Sequence, residues 1–168
     1  MKNGIFTFAS GKYGRLLLIA GTIVITDQIT KAVVLAKMAL YQSIIVIPGF
    51  FSLTHIQNPG GAFGFLAQQD ATVRAAVFLV ASALAIGLIF MFYRQIPKSH
   101  PVLASGLALI FGGAIGNLID RVRFGKVIDF LDFYIGNLHY PAFNVADSAI
   151  TIGGAIFLVH LVFRKLPE

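Results

Sequence analysis

The residues able to do chemistry in this sequence are its acids, and they are few. Of seven acidic residues, Asp27, Asp120, Asp129 and Asp147 lie inside or beside long apolar runs. A carboxylate at the centre of a membrane helix costs roughly 2.5–3.5 kcal/mol on insertion scales, so acids placed there mark a site by default. Two of the four recur in one local pattern, Asn117-x-x-Asp120 and Asn144-x-x-Asp147. Two carboxylates held close together cannot both ionise cheaply, and one keeps its proton. The ionised member can take a proton from water while the protonated one polarises a carbonyl, which hydrolyses an amide without metal, serine or cysteine. Asp129 and Asp147 can form such a pair if the outer loop carrying Asp129 folds over the mouth of the last apolar run. The alternative is that each caps a helix or pairs with Arg121, Arg123 or Lys126.

The remaining polar residues have quieter readings. Asp27 and Lys31 stand at i,i+4 and can neutralise one another, although their place in an apolar run keeps a functional role open. Asp120-Arg121 reads as an adjacent pair satisfied locally near a helix end. Asn117 and Asn144 can hydrogen-bond carboxylates or a substrate backbone, or equally tie helices together. Four histidines without an H-E-x-x-H pattern make no metal site, and no G-x-S-x-G is present. The absence of cysteine excludes disulfides, thiolate chemistry and cysteine-ligated metals. Gly112, Gly113, Gly116, Gly153 and Gly154 read as small residues that let helices approach, not as phosphate loops. No metal and no cofactor is expected.

The elements that must position these groups are membrane spans. The 168 residues are 57% hydrophobic and only 12% charged, with a mean hydropathy of +0.83, which excludes an ordinary soluble domain. The net charge of +6 does not point to nucleic acid, because the basic residues stand between apolar runs. A span needs about 20 residues at 1.5 Å rise, and four segments qualify: about Leu16–Ala36, Thr72–Tyr93, Pro101–Ile119 and Ala142–Phe163. Lys2, Lys12, Arg15, Arg94, Lys98, Arg164 and Lys165 fall on one side if both termini are cytoplasmic. The opposite side receives Lys37, Arg121, Arg123 and Lys126 mixed with Asp70, Asp129 and Asp132. Asp27, twelve residues beyond Arg15 and so roughly 18 Å further along a helix, then lies in the outer half of its span, as do the other candidates. The N-terminal run reads as an uncleaved first span, since it continues into Asp27, Gln28 and Lys31. Between spans one and two, Ser43–Ile47 and Phe50–Ile56 flank a Pro48-Gly49 turn signal. They predict a strand pair resting in the interface on the outer surface. The expectation is one integral-membrane domain over 1–168: an all-α bundle of four transmembrane helices with a small periplasmic β unit at about 40–66.

Spacing alone leaves three functions open: an aspartyl peptidase, a small proton-coupled transporter or channel, and a non-catalytic membrane scaffold. A transporter calls for acids through the whole bilayer depth, whereas here they gather at one boundary. A scaffold explains the glycines but not the outer carboxylates.

The chain resembles the bacterial lipoprotein signal peptidases (signal peptidase II), four-span aspartyl proteases of the inner membrane, from about Leu16 to Phe163. The motifs that carry the resemblance are Asp27-x-x-x-Lys31, Asn58-Pro59-Gly60-Gly61-Ala62-Phe63 and Gly116-Asn117-Leu118-Ile119-Asp120-Arg121. Val127-Ile128-Asp129-Phe130 and Phe143-Asn144-Val145-Ala146-Asp147 complete the set. The resemblance implies that Asp129 and Asp147 are the catalytic dyad, and that Asp27, Lys31, Asn58, Gly61, Asn117, Asp120, Arg121 and Asn144 bind substrate or support the site. It implies a prolipoprotein substrate whose cysteine already carries diacylglycerol, cut on the N-terminal side of that cysteine, and inhibition by globomycin. Phe50–Phe65 would be a periplasmic cradle and Ile128–Tyr140 a lid. The expected partners are substrate and membrane lipids, with no nucleic acid, and the expected state is a monomer.

Overall fold

The structure is a computed structural model that describes residues 11–60 and 69–163. Gly61, Ala62, Phe63, Lys2, Arg164 and Lys165 lie outside the described residues. Four helices, α1 (Lys12–Lys37), α2 (Ala71–Gln95), α3 (Pro101–Phe124) and α4 (Val145–Phe163), alternate with strands β1 (Ser43–Ile47), β2 (Phe51–Asn58), β3 (Val127–Ile135) and β4 (Leu138–His139). All four helices are long and apolar enough to cross a membrane.

Local chemistry sets the helix ends. Asp70 caps α2, its Oδ1 accepting from the N–H of Thr72 at 2.8 Å and of Val73 at 3.4 Å. Pro101 opens α3 at the position where its missing N–H costs nothing. Gly125, at φ +68°, closes it in the left-handed conformation, with its N–H bonded to Arg121 O. The helix therefore runs five residues past the expected end at Ile119, to Phe124, so Asp120 sits within it.

Helix α3 is the hub. It packs against α1, α2 and α4, and half of its most apolar window is buried, whereas Tyr93 is the buried residue of α2. Glycines set the α3–α4 approach: a Cβ on Gly106 would stand 2.7 Å from Ile156 Cγ2, and one on Gly153 would meet Gly106 O and Ile110. At the end away from the strands, Lys12 Nζ donates to Arg94 O at 3.0 Å and Tyr93 OH to Lys12 O, tying α1 to α2.

The strands form one antiparallel sheet in the order β1-β2-β3-β4. The expected pair β1 and β2 is therefore only half of it, because the segment expected to be an outer loop or lid is strand β3 and the short β4. Residues 127–135 are β-branched and aromatic around two aspartates, and Gly136 at φ +60° makes the turn. The buried faces of α1 and the sheet meet in a cluster of Val34, Met38, Ile128 and Phe130. The His55 ring nitrogen Nδ1 is 3.0 Å from Met38 O, which fastens β2 to the end of α1.

Because Gly153 has no room for a side chain, Gly153→Val should destabilise the bundle by about 1–3 kcal/mol. Loss of helical ellipticity on heating in detergent should occur at lower temperature than in the parent. An unchanged melting temperature would show that the two helices can part without cost.

Candidate active site

The site is built where α1 and α3 end, α4 begins and β3 crosses between them. Lys31, on α1, is 2% exposed and lies 2.8 Å from both Asp27 Oδ2 and Asp120 Oδ2, with those carboxylates at 0% and 1%. Its Nζ also donates to Asn117 Oδ1 at 3.0 Å. An ammonium has three N–H groups and no acceptor, so this set satisfies it. Asp120 is thus held by Lys31, by Ile128 N–H at 3.1 Å and by Gln28 Nε2 at 3.0 Å. The expected local pairing with Arg121 is replaced by a link between helices. Arg121 donates to Asn117 O at 3.3 Å and lies over the Phe78 ring, 6.0 Å from its centre.

Lys31 also settles which way Asn117 points. A donor-only group on Oδ1 leaves Nδ2 to face Asp147 Oδ1, at 2.7 Å. Asn144 is settled in the same way, since Asp147 N–H donates to its Oδ1 at 2.9 Å. Its Nδ2 donates to Asp129 Oδ1 at 2.7 Å, to Asn117 Oδ1 at 3.2 Å and to Ile128 O at 3.2 Å. Asn58 takes Gly60 N–H on Oδ1 at 2.9 Å and turns Nδ2 to Asp129 Oδ2 at 3.1 Å. The sheet register makes that contact: Ile56 is opposite Asp129 and Asn58 opposite Val127, so Asn58 is the diagonal neighbour on the same face.

Asn144 and Asp147 form a capping box at the start of α4. Asn144 Oδ1 takes the Asp147 N–H while Asp147 Oδ2 takes the Asn144 N–H at 3.3 Å. The capping alternative for Asp147 is therefore realised, and the same asparagine also donates to Asp129. Asp129 is 3% exposed. Burial, then the charge of Asp147, pushes it up to about 7, against the amide hydrogen bonds from Asn58 and Asn144 and the charge of Lys31.

The structure brings Asp27, Lys31, Asn58, Asn117, Asp120, Arg121, Asp129, Asn144 and Asp147 into one connected cluster; Gly61 lies outside the described residues. Gln28 had drawn no attention in the sequence beyond interrupting the apolar run. Its Nε2 shares two N–H groups among Asp27 Oδ2 at 3.2 Å, Asp120 Oδ1 at 3.0 Å and Gly116 O at 3.1 Å. A polar side chain beside Asp27 inside a span was the signal. Beside Asp147 a cavity of about 300 Å³ opens between Tyr140, Phe143, Ser148, Thr151 and Ile152. The far edge of β3 is closed: Ile128 N–H and C=O go to Asp120 and Asn144, and Phe130 and Leu131 N–H to Phe143 O at 3.0 and 2.8 Å.

The raised Asp129 carries a stability consequence. Its acid form is favoured in the folded state, so ionising it weakens the fold as pH rises from 3.8 through about 7. Asp129→Asn removes that penalty, so its stability relative to the parent should rise by on the order of 2–4 kcal/mol as pH climbs past 7. Below pH 3.8 only a fixed cost should remain, because the new N–H₂ faces that of Asn58 or Asn144. Melting curves of both proteins across pH check this, and a gap independent of pH would contradict it. Lys31→Met, which strands two buried carboxylates, should cost about 3–5 kcal/mol in the same measurement.

Residues 19–163 match the model of the signal peptidase (SPase) II family. A lipoprotein signal peptidase of Desulforapulum autotrophicum is 54% identical over 154 residues, covering 92% of this chain and 95% of the relative. One from Geobacter sulfurreducens is 49% identical over 153 residues, covering 89% and 94%. A bacterial membrane enzyme solved at 2.3 Å superposes with a TM-score of 0.80 at 32% identity, over 92% of this chain and 93% of that one. Identity at this level across nearly the whole length, with a bundle of matching shape, means that the chain belongs to the signal peptidase II family and is a multi-pass membrane peptidase.

Proposed function

We propose that this protein removes the signal peptide from diacylglyceryl-modified prolipoproteins, cutting on the N-terminal side of the lipidated cysteine by an aspartyl mechanism. The names of its relatives support the substrate class. The observation that carries the mechanism is that Asn144 contacts two carboxyl groups, donating from Nδ2 to buried Asp129 and from its N–H to half-buried Asp147, with Asp129 raised to about 7. Such a pair holds one proton across the neutral range. Asp129 carries it and donates it to the scissile carbonyl oxygen. Ionised Asp147 takes a proton from the attacking water as its oxygen bonds to the carbonyl carbon; when the C–N bond breaks, Asp147 gives that proton to the leaving amine and Asp129 regains its own from the diol. Asn58, Asn117 and Asn144 keep the carboxyl groups aimed, Asp27, Asp120 and Lys31 hold the frame, and Arg121 with Gly61 serves the substrate side. No metal or cofactor enters this scheme.

The placement in the membrane follows from charge. Lys12, Arg15, Arg94 and Lys98 lie at one end of the bundle, and the described aspartates all belong to the other. By the positive-inside rule both termini face the cytoplasm, with the sheet and site at the periplasmic face of the inner membrane. A lipidated cysteine fixes its scissile bond at that depth. Among the described residues the acids gather at one end, which counts against a proton path across the bilayer and so against the transporter reading. The whole chain, 1–168, acts as one domain and as a monomer, and a globomycin-type peptide would compete for the same site.

Asp129→Asn and Asp147→Asn should each lower cleavage of a diacylglyceryl precursor by about 10²–10⁴-fold while inserting normally, read as a gel shift with and without globomycin. Cleavage in the parent should decline as pH rises through about 7, where Asp129 loses its proton. Full activity in either variant would remove the mechanism.

A further inference from the structure

We propose that Gln28 is a positioning residue which, opposite Lys31, sets the separation of Asp129 and Asp147; this rests on the dyad reading above. The geometry is a paired grip. Asp27 Oδ1 accepts from the N–H of Ala146, the residue before Asp147, at 3.0 Å. Asp120 Oδ2 accepts from the N–H of Ile128, the residue before Asp129, at 3.1 Å. Each supporting carboxylate therefore holds the main chain immediately upstream of one member of the dyad. Whatever fixes Asp27 against Asp120 fixes the dyad.

Two side chains bridge them. Lys31 Nζ lies 2.8 Å from each, and Gln28 Nε2 lies 3.2 Å from Asp27 Oδ2 and 3.0 Å from Asp120 Oδ1. The two are not equivalent. An ammonium is a rotating point charge, whereas an amide presents two N–H groups in one plane. Gln28 is also anchored on Gly116 O at 3.1 Å. A Cβ on Gly116 would stand 2.7 Å from Asp27 Oδ2, so the glycine lets α1 and α3 close to the span that the amide bridges. Without Gln28, Asp120 Oδ1 loses its amide donor while buried. The carboxylate then turns or takes a proton, and either change loosens its hold on Ile128 N–H, next to Asp129.

Gln28→Met keeps the size and removes the donor; Gln28→His returns an N–H at a similar reach. Both, with Asp129→Asn alongside, are assayed for kcat and KM on a fluorescent diacylglyceryl lipopeptide in micelles, together with thermal loss of helicity. Misplacing reacting groups by about 1 Å can cost 10²-fold, so Gln28→Met should lower kcat by about 10- to 100-fold. KM should stay within about twofold, while melting should drop by the few degrees that one unpaired buried acceptor costs. Gln28→His should recover most of the lost kcat. The proposal is overturned if Gln28→Met has the parent's kcat, if its loss falls on KM, or if Gln28→His is no better. An inactive Asp129→Asn beside a fully active Gln28→Met would sink this inference and leave the dyad standing. An active Asp129→Asn would sink both.

Discussion

A lysine ammonium placed out of reach of water must find an acceptor for each of its three N–H groups, and Lys31 finds Asp27, Asp120 and Asn117. Those partners come from α1 and α3, so the charge that has to be neutralised is also what holds the two helices in register. The consequences run outward in a fixed direction. Because Lys31 can only donate, Asn117 must present its oxygen inward and its N–H₂ toward Asp147. Because Asp27 and Asp120 are held, they reach the backbone ahead of Asp147 and Asp129, Asp27 with the oxygen turned away from Lys31 and Asp120 with the same Oδ2 that Lys31 holds. Taking several charged groups out of water is a large cost, and replacing such a set with apolar side chains is often neutral or stabilising. What the arrangement gives is a defined orientation for every amide around the two carboxyl groups.

One pair of residues both starts a helix and joins the polar cluster. Asn144 and Asp147 start α4 as a capping box, an ordinary device of helix ends. The same asparagine turns its N–H₂ to Asp129. The first turn of the helix therefore fixes the relation between the two acids, and the sheet register fixes Asn58 against Asp129 from the other side. Rigid elements, a helix terminus and a paired strand, carry both acids, which suits a reaction needing tight placement.

Much of this was legible in the chain. Apolar runs of adequate length announced four helices, and Pro48-Gly49 between β-branched runs announced β1 and β2. The acids announced the site because a carboxylate has so few reasons to sit in an apolar run. Three features were not legible for physical reasons. Strand β3 was obscured because Asp129 and Asp132 interrupt its apolar pattern until Asn58 and Asn144 are set against the first and Thr54 and His139 against the second. The last turns of α3 were obscured because Asp120, Arg121 and Arg123 look like a loop until Lys31 and Ile128 are placed beside Asp120. The role of Gln28 depends on the contact of α1 with α3, which local sequence does not state.

Strand β3 is saturated along the border facing away from β2, where Asp120, Asn144 and Phe143 occupy its main-chain groups. An extended guest polypeptide therefore cannot join the sheet as a neighbouring strand beside Asp129. It has to drape over the top of the sheet, gripped by side-chain amides and walls, and those make little demand on the guest's backbone register. Tolerance for many different guest sequences is a natural property of a platform built in this way.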